Sequence, residues 1–167
     1  QEFHNVYMVT TPSSTVTAAQ LSSISVLDAA RECERYKNRN TYLSLDPQLQ
    51  SMFRSLSQYR HVILANGIVE KVTSALHVLG IESSQFEDIV TSEKIGVNKP
   101  DHKGFVYIME KTGLLAAAHM MIGDREAVDL APAKALGMKT CLVWTDGSST
   151  VADVTLSTVY EIVDMLA

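Results

Sequence analysis

The sequence predicts an α/β fold: a three-layer sandwich with helices on both faces of a mostly parallel sheet. Three observations carry that expectation. Short apolar, β-branched runs alternate with longer segments whose apolar residues step by three and four. Gly, Pro and Asn-Gly signals punctuate the joints between them. The chain has 167 residues, 46% of them apolar and 20% charged, which suffices for one core burying about two thirds of the unfolded surface. Strands joined through helices cross over right-handed and therefore run parallel.

Each element has its own local reason. Val6-Tyr7-Met8-Val9 reads as a buried strand, and Thr10 to Thr17 as a Ser/Thr/Pro loop. Ala18 to Lys37 reads as one helix, because Leu21, Ile24, Leu27, Ala30 and Glu34 share a face. Asp46-Pro47 gives an N-cap with proline at the first helical position, and Leu49, Phe53 and Leu56 form the apolar stripe that follows. His61 to Ala65 is the next strand, and Asn66-Gly67 a turn. Val69 to Leu79 is a helix closed by Gly80. Asp88 to Thr91 is a strand. His102 to Thr112 is a helix with Phe105, Ile108 and Met109 inward, ended by Gly113. Met120 to Ile122 is a strand running into Gly123-Asp124. Asp129 to Leu136 is a helix closed by Gly137. Thr140 to Trp144 and Asp153 to Leu156 are strands, and Thr158 to Leu166 is the last helix. The whole is a Rossmann-like arrangement, expected as a single domain over 1–167 with a short cap or insert at about 13–45.

Charge and composition exclude several classes. The net charge of −5 comes without any basic stripe, so no nucleic-acid partner is expected. Leu114 to Ile122 is the longest apolar stretch; it is interrupted by His119 and is too short to span a bilayer, so no membrane is expected either. Cys33 and Cys141 are too far apart in sequence for a zinc motif and read as core thiols of a reducing compartment. With no signal peptide apparent, the expected location is cytoplasmic. Gln1-Glu2-Phe3 lacks a Met, and Glu-Phe is what a common cloning site encodes, so residues 1–3 are expected to be cloning-derived. His61, His77, His102 and His119 show no ligand spacing and read as structural.

In parallel sheets, ligands bind beyond the C-terminal ends of the strands. Gly123-Asp124 follows a strand, and Asp129 lies five residues later. Two carboxylates there suit a hard cation such as Mg²⁺; the plain alternative is a capped helix start. In Asn98-Lys99-Pro100-Asp101, proline holds Lys99 extended and can itself open the next helix. Lys99 could then meet a phosphate as a point charge, or it could be an ordinary surface lysine. Ala65-Asn66-Gly67 can offer backbone N–H groups to an anion, or simply turn the chain.

Taken together, these runs resemble the haloacid dehalogenase (HAD) superfamily of phosphohydrolases. Gly123-Asp124 through Gly137-Met138 is similar to the fourth motif of that family. Gly96 to Asp101 is similar to the third, and Leu64-Ala65-Asn66-Gly67 to the second, where the family usually has Ser or Thr in place of Ala65. The resemblance covers about Tyr42 to Ala167. It implies a HAD-like core with a small or vestigial helical cap, in the phosphatase and nucleotidase branch. It assigns phosphate contact to Lys99, substrate binding to Ala65, Asn66 and Gly67, and Mg²⁺ to Asp124 and Asp129.

The family's first motif is an apolar strand followed by Asp-x-Asp-x-Thr, whose first Asp is the nucleophile and whose second is the acid/base. Here Val6 to Val9 is followed by Thr10-Thr11-Pro12, so Thr10 and Pro12 stand at the nucleophile and acid/base positions. Neither side chain can do that chemistry, and Thr10 removes one carboxylate ligand, so Mg²⁺ would be held weakly. Asp28 would serve as nucleophile only at the end of a strand, and Asp46 reads as a cap. The expectation is therefore a catalytically degenerate member with a binding or regulatory role toward a small phosphorylated molecule or a protein. The alternative is an active Mg²⁺-dependent phosphomonoesterase.

Overall fold

A computed structural model of the chain describes residues 14–36 and 39–166. The expected first strand, Val6 to Val9, lies outside the described residues. Two compact units emerge. One takes Leu45 and the residues before it together with His61–Lys99; the other takes Asp46–Arg60 with the residues from Pro100 onward.

The first unit holds helices α1 (Ser14–Ser22) and α2 (Val26–Tyr36), then strand β1 (Val62–Ala65), helix α4 (Val69–Leu79), strand β2 (Asp88–Thr91) and the single turn α5 (Ser92–Ile95). Strands β1 and β2 pair in parallel, with Val62 opposite Asp88 and Ala65 opposite Thr91. Helix α4 ends on Gly80, whose φ of 76° is the left-handed conformation that glycine adopts without penalty. Leu76, Ile81 and Val90 are buried in this unit.

Two expectations fail here. The segment 14–17 belongs to α1 rather than to a loop, and the helix expected over Ala18 to Lys37 is broken into α1 and α2. The break falls in Ser22-Ser23-Ile24-Ser25. Ser23 takes a φ of 54°, and the Ser25 hydroxyl oxygen accepts the Asp28 N–H at 3.0 Å while donating to the Asp28 carboxylate at 2.6 Å. Serine side chains compete for backbone groups and favour helix starts over helix interiors. Asp28 consequently sits in the first turn of a helix, which is where a strand-end nucleophile cannot be.

The second unit begins with α3 (Pro47–Ser55) and continues through α6 (Lys103–Thr112), β3 (Met120–Gly123), a wide π-type turn (Glu126–Leu130), α7 (Ala131–Ala135), β4 (Lys139–Leu142), β5 (Val154–Thr155) and α8 (Ile162–Leu166). The strands run in the order β3-β4-β5, all parallel, with Gly123 opposite Leu142 and Leu142 opposite Thr155. Asp46 caps α3 as expected, accepting the Leu49 N–H at 2.8 Å. Met52 and Leu56 turn inward to meet Cys141, Val143 and Ile162, each fully buried side chain of this kind contributing roughly 1.5–3 kcal/mol. Burial pushes the Cys141 thiol pKa up. Pro100 does not open a helix: α6 starts three residues later, where the Asp101 carboxylate accepts the Lys103 N–H at 2.8 Å. The last helix also starts later than expected, because Val159–Glu161 forms a tighter turn bracketed by a Thr158–Glu161 capping box.

The α/β class is thus what the structure shows, and every strand pair among the described residues is parallel. No helix among the described residues is long and apolar enough to cross a membrane.

Candidate functional site

The first unit builds its strand end around Lys99. Asn66 Oδ1 accepts the Lys99 N–H at 2.7 Å, and Asn66 Nδ2 donates to the Lys99 carbonyl at 2.9 Å. These two bonds fix the orientation of the amide, since the backbone groups have one polarity each. They also hold the lysine backbone against the turn that ends β1. The ammonium group is held too: Lys99 Nζ donates to the Leu64 carbonyl at 2.7 Å. The lysine is partly buried, so its charge is placed rather than left to wander.

The Asn66-Gly67 turn is clamped by a residue that motif reading does not single out. Ser92, buried just after β2, accepts the Gly67 N–H at 2.8 Å and donates to the Gly67 carbonyl at 3.1 Å. The Gly67 carbonyl also accepts the Glu93 N–H at 3.2 Å, and Glu93 Oε2 accepts the Val69 N–H at 3.2 Å. The turn expected to offer backbone donors to an anion therefore has the Gly67 N–H engaged by Ser92, and the Asn66 amide by Lys99. Ala65 leaves a mark as well. Its register partner is Thr91, whose hydroxyl is fully buried and finds no hydrogen-bond partner among the described residues.

The second unit places the two expected carboxylates differently from each other. Asp124 is exposed just beyond β3, and Asp129 is buried. The turn they start is not capped by a side chain, so the capping alternative for Asp124 is not realised. Asp129 explains the glycine before it. A Cβ built on Gly123 would stand 2.7 Å from Asp129 Cβ and 2.9 Å from Oδ2. Only a residue without a side chain leaves that carboxylate its place.

Two carboxylate donors suit a hard oxygen-seeking cation, and the cradle at Gly123 keeps one of them close to the strand end. Among the described residues no group of three or more His, Cys, Asp or Glu could hold a metal ion. Asp124 and Asp129 by themselves supply carboxylate oxygens, the donor type that Mg²⁺ takes beside water and phosphate oxygens. Thr10 and Pro12 lie outside the described residues.

At the opposite, N-terminal end of the strands, Asp153 ties β5 to β4. Its Oδ1 accepts from Lys134 Nζ at 2.8 Å, and its Oδ2 from the Thr140 N–H at 2.8 Å and the Thr140 hydroxyl at 2.9 Å. The ammonium of Lys134 first, then the two Thr140 donors, hold its carboxyl down to about 2. The Tyr160 hydroxyl donates to Asp46 Oδ2 at 2.7 Å. That bond is the largest reason that the Asp46 carboxyl lies below, and the Tyr160 phenol above, its usual range.

Comparison with known proteins gives the family. The family model for haloacid dehalogenase-like hydrolases matches residues 3–143. A glyceraldehyde 3-phosphate phosphatase of Methanocaldococcus jannaschii is 32% identical over 109 residues, which cover 62% of this chain and 47% of that protein. The same-named protein of Methanothermobacter thermautotrophicus is 32% identical over 85 residues, covering 51% of this chain and 37% of its own. The chain thus spans about half the length, or less, of these curated relatives. Among solved structures, a HAD phosphatase from Thermococcus onnurineus superposes with a TM-score of 0.67 at 21% identity, covering 89% of this chain and 68% of that one. An L-2-haloacid dehalogenase from Xanthobacter autotrophicus superposes with a TM-score of 0.65 at 14% identity, covering 92% of this chain and 72% of that one. Such identities carry the fold alone, but the family match runs through both strand-end clusters, and this chain belongs to the haloacid dehalogenase-like hydrolase family.

Proposed function

We propose that this chain binds phosphorylated ligands through a phosphatase-type site that has lost most or all of its turnover, and that its role is binding or regulation. The observation that carries this reading is the strand end of β1. Its supporting bonds are intact, with Lys99 pinned by Asn66 and Leu64, while the hydroxyl expected at Ala65 is absent.

The chemistry follows from what remains. Lys99 supplies a fixed positive charge for a phosphate oxygen. Asp124 and Asp129 would hold Mg²⁺, which when bound supplies charge neutralisation to a phosphate. Thr10 and Pro12 offer neither a carboxylate nucleophile nor an acid/base. Losing general acid/base catalysis alone typically costs about 10²–10⁴-fold in rate. The ligand in this reading is a small phosphorylated molecule or a protein partner.

A second reading, an active Mg²⁺-dependent phosphomonoesterase, is favoured by the 32% identity to glyceraldehyde 3-phosphate phosphatases. It needs a nucleophile other than Thr10. Asp28 in the first turn of α2 and Asp46 capping α3 are both committed elsewhere.

The test is a turnover assay with an aryl phosphate, nucleotides and sugar phosphates, including glyceraldehyde 3-phosphate, in Mg²⁺ at high protein concentration. Asp124→Asn controls for contaminating enzymes, and calorimetry with inorganic phosphate measures binding. Phosphate binding without turnover above the control is expected. Turnover that vanishes in Asp124→Asn would overturn the degenerate reading in favour of the phosphatase.

A further inference from the structure

We propose that the indole of Trp144 is a stacking platform for a planar aromatic group on the phosphorylated ligand. The inference rests on the phosphate-binding reading above and adds the class of ligand.

The first support is position. Leu142, the last residue of β4, is in register with Gly123, the last of β3, and the Val143 N–H donates to the Gly123 carbonyl at 3.0 Å. Trp144 therefore leaves the sheet at the same strand-end edge as Asp124. In parallel sheets that edge is where ligands bind.

The second support is conformation. Trp144 has a φ of 63°, and among the described residues only it and Ser23 take positive φ without being glycine. For a bulky side chain this is a true outlier, and such residues cluster at sites of function. A glycine would turn the chain there without strain. The strain does not bury the residue either, because Trp144 is 56% exposed, although tryptophan is on average a highly buried residue.

The third support is bracing. Tyr160 meets the indole edge to face, with ring centroids 5.7 Å apart at 90°. The Tyr160 hydroxyl is itself held by Asp46 at 2.7 Å, and Asp46 caps α3. The ring is thus oriented by a chain of contacts that ends in a helix, while more than half of the residue stays open to solvent. A fixed indole face takes planar π systems by stacking and tolerates many ring types. A nucleobase and a simple aryl group share that chemistry.

The chain has one tryptophan, so fluorescence excited beyond the tyrosine absorption band reports Trp144 alone. The intact 167-residue chain is titrated with uridine 5′-monophosphate, adenosine 5′-monophosphate, phenyl phosphate, glycerol 3-phosphate and inorganic phosphate, with uridine as the phosphate-free arm. Calorimetry measures each affinity separately. The expected result is a saturable emission change with the aromatic esters and none with glycerol 3-phosphate or inorganic phosphate. In Trp144→Gly, which suits the left-handed backbone and preserves the fold, affinity for the aromatic esters falls about tenfold while that for glycerol 3-phosphate holds. Trp144→Phe, which keeps a flat ring, restores part of the loss. Nucleotides binding tighter than phenyl phosphate would name the nucleobase as the group, and the reverse order would name the aryl ring. Equal affinity for aromatic and aliphatic esters, or an undiminished aromatic preference in Trp144→Gly, overturns the platform while leaving phosphate binding standing. A response to uridine without binding of any phosphate overturns the phosphate reading instead.

Discussion

The buried hydroxyl of Thr91 gives the sharpest structural test. Thr91 is fully buried, its Oγ1 has no hydrogen-bond partner among the described residues, and its register partner across the parallel pair is Ala65. Register partners lie about 4.8 Å apart with side chains on the same face of the sheet. Ala65→Ser places a hydroxyl within reach of Thr91. A buried polar group without a partner costs about 1–3 kcal/mol, and a bond that satisfies it returns about 1 kcal/mol net. For a chain of this size that corresponds to a rise in Tm of about 2–4 °C. Thr91→Val removes the orphan hydroxyl at nearly constant shape and should be neutral or slightly stabilising. The two effects should not add: in the Thr91→Val background the hydroxyl introduced by Ala65→Ser has nothing to satisfy, and its gain disappears. Thermal melts of the parent, the two single variants and the double variant form the cycle. If Ala65→Ser melts no higher than the parent, or gains as much in the Thr91→Val background, the reasoning from the orphan hydroxyl is refuted.

Two further outcomes follow from single contacts. Gly123→Ala brings a Cβ to 2.7 Å from Asp129 Cβ. The clash is with the root of a side chain rather than a flexible tip, so a loss of about 1–3 kcal/mol is expected in urea melts, and a variant as stable as the parent would show that Asp129 moves freely. Asp153 is a carboxyl depressed to about 2 from an ordinary 3.8. Its contribution is therefore complete above about pH 4 and is lost as pH falls through 2. The stability gap between the parent and Asp153→Asn should hold steady at higher pH and narrow only below about 4; a gap that narrows near neutrality would refute the assignment.

How much was legible depends on whether the cause was local. Asp46-Pro47 announced α3, and Gly80 and Gly113 announced two helix ends, because caps are set by a few neighbouring residues. The apolar spacing across Ala18 to Lys37 misled, because it continues through Ser22 to Ser25, where hydroxyls end one helix and start the next. Counting apolar periods ignores that competition, although Ser25 and Asp28 carried a cap signal. Lys99 was legible from Lys-Pro beside a strand. Ser92 was not, because its grip on Gly67 exists only once β1 and β2 are in register. Trp144 was hidden inside an apolar run that reads as strand to its end, whereas β4 stops at Leu142 and the tryptophan turns away. The packing of Asp129 on Gly123 was hidden for a similar reason: the wide turn over Glu126–Leu130 shifts the helix start expected at Asp129.

The residues of the two strand-end clusters differ in what the fold asks of them, and this decides which substitution speaks about function. Lys99, Asn66 and Ser92 each hold backbone in place, through bonds of 2.7–3.1 Å to Leu64, Lys99 and Gly67. Each therefore has a structural task beside any task toward a ligand, and replacing any of them would disturb the turn whether or not a ligand binds. Asp129 likewise fills the space beside Gly123. Asp124 is different. It is exposed and caps nothing, and its side chain makes no hydrogen bond or ion pair among the described residues. An exposed carboxylate of this kind can become an amide with a change in stability within about 0.5 kcal/mol. Any loss of phosphate or Mg²⁺ binding in Asp124→Asn therefore reports the site itself, whereas the same loss in a Lys99 variant would confound the site with its scaffold.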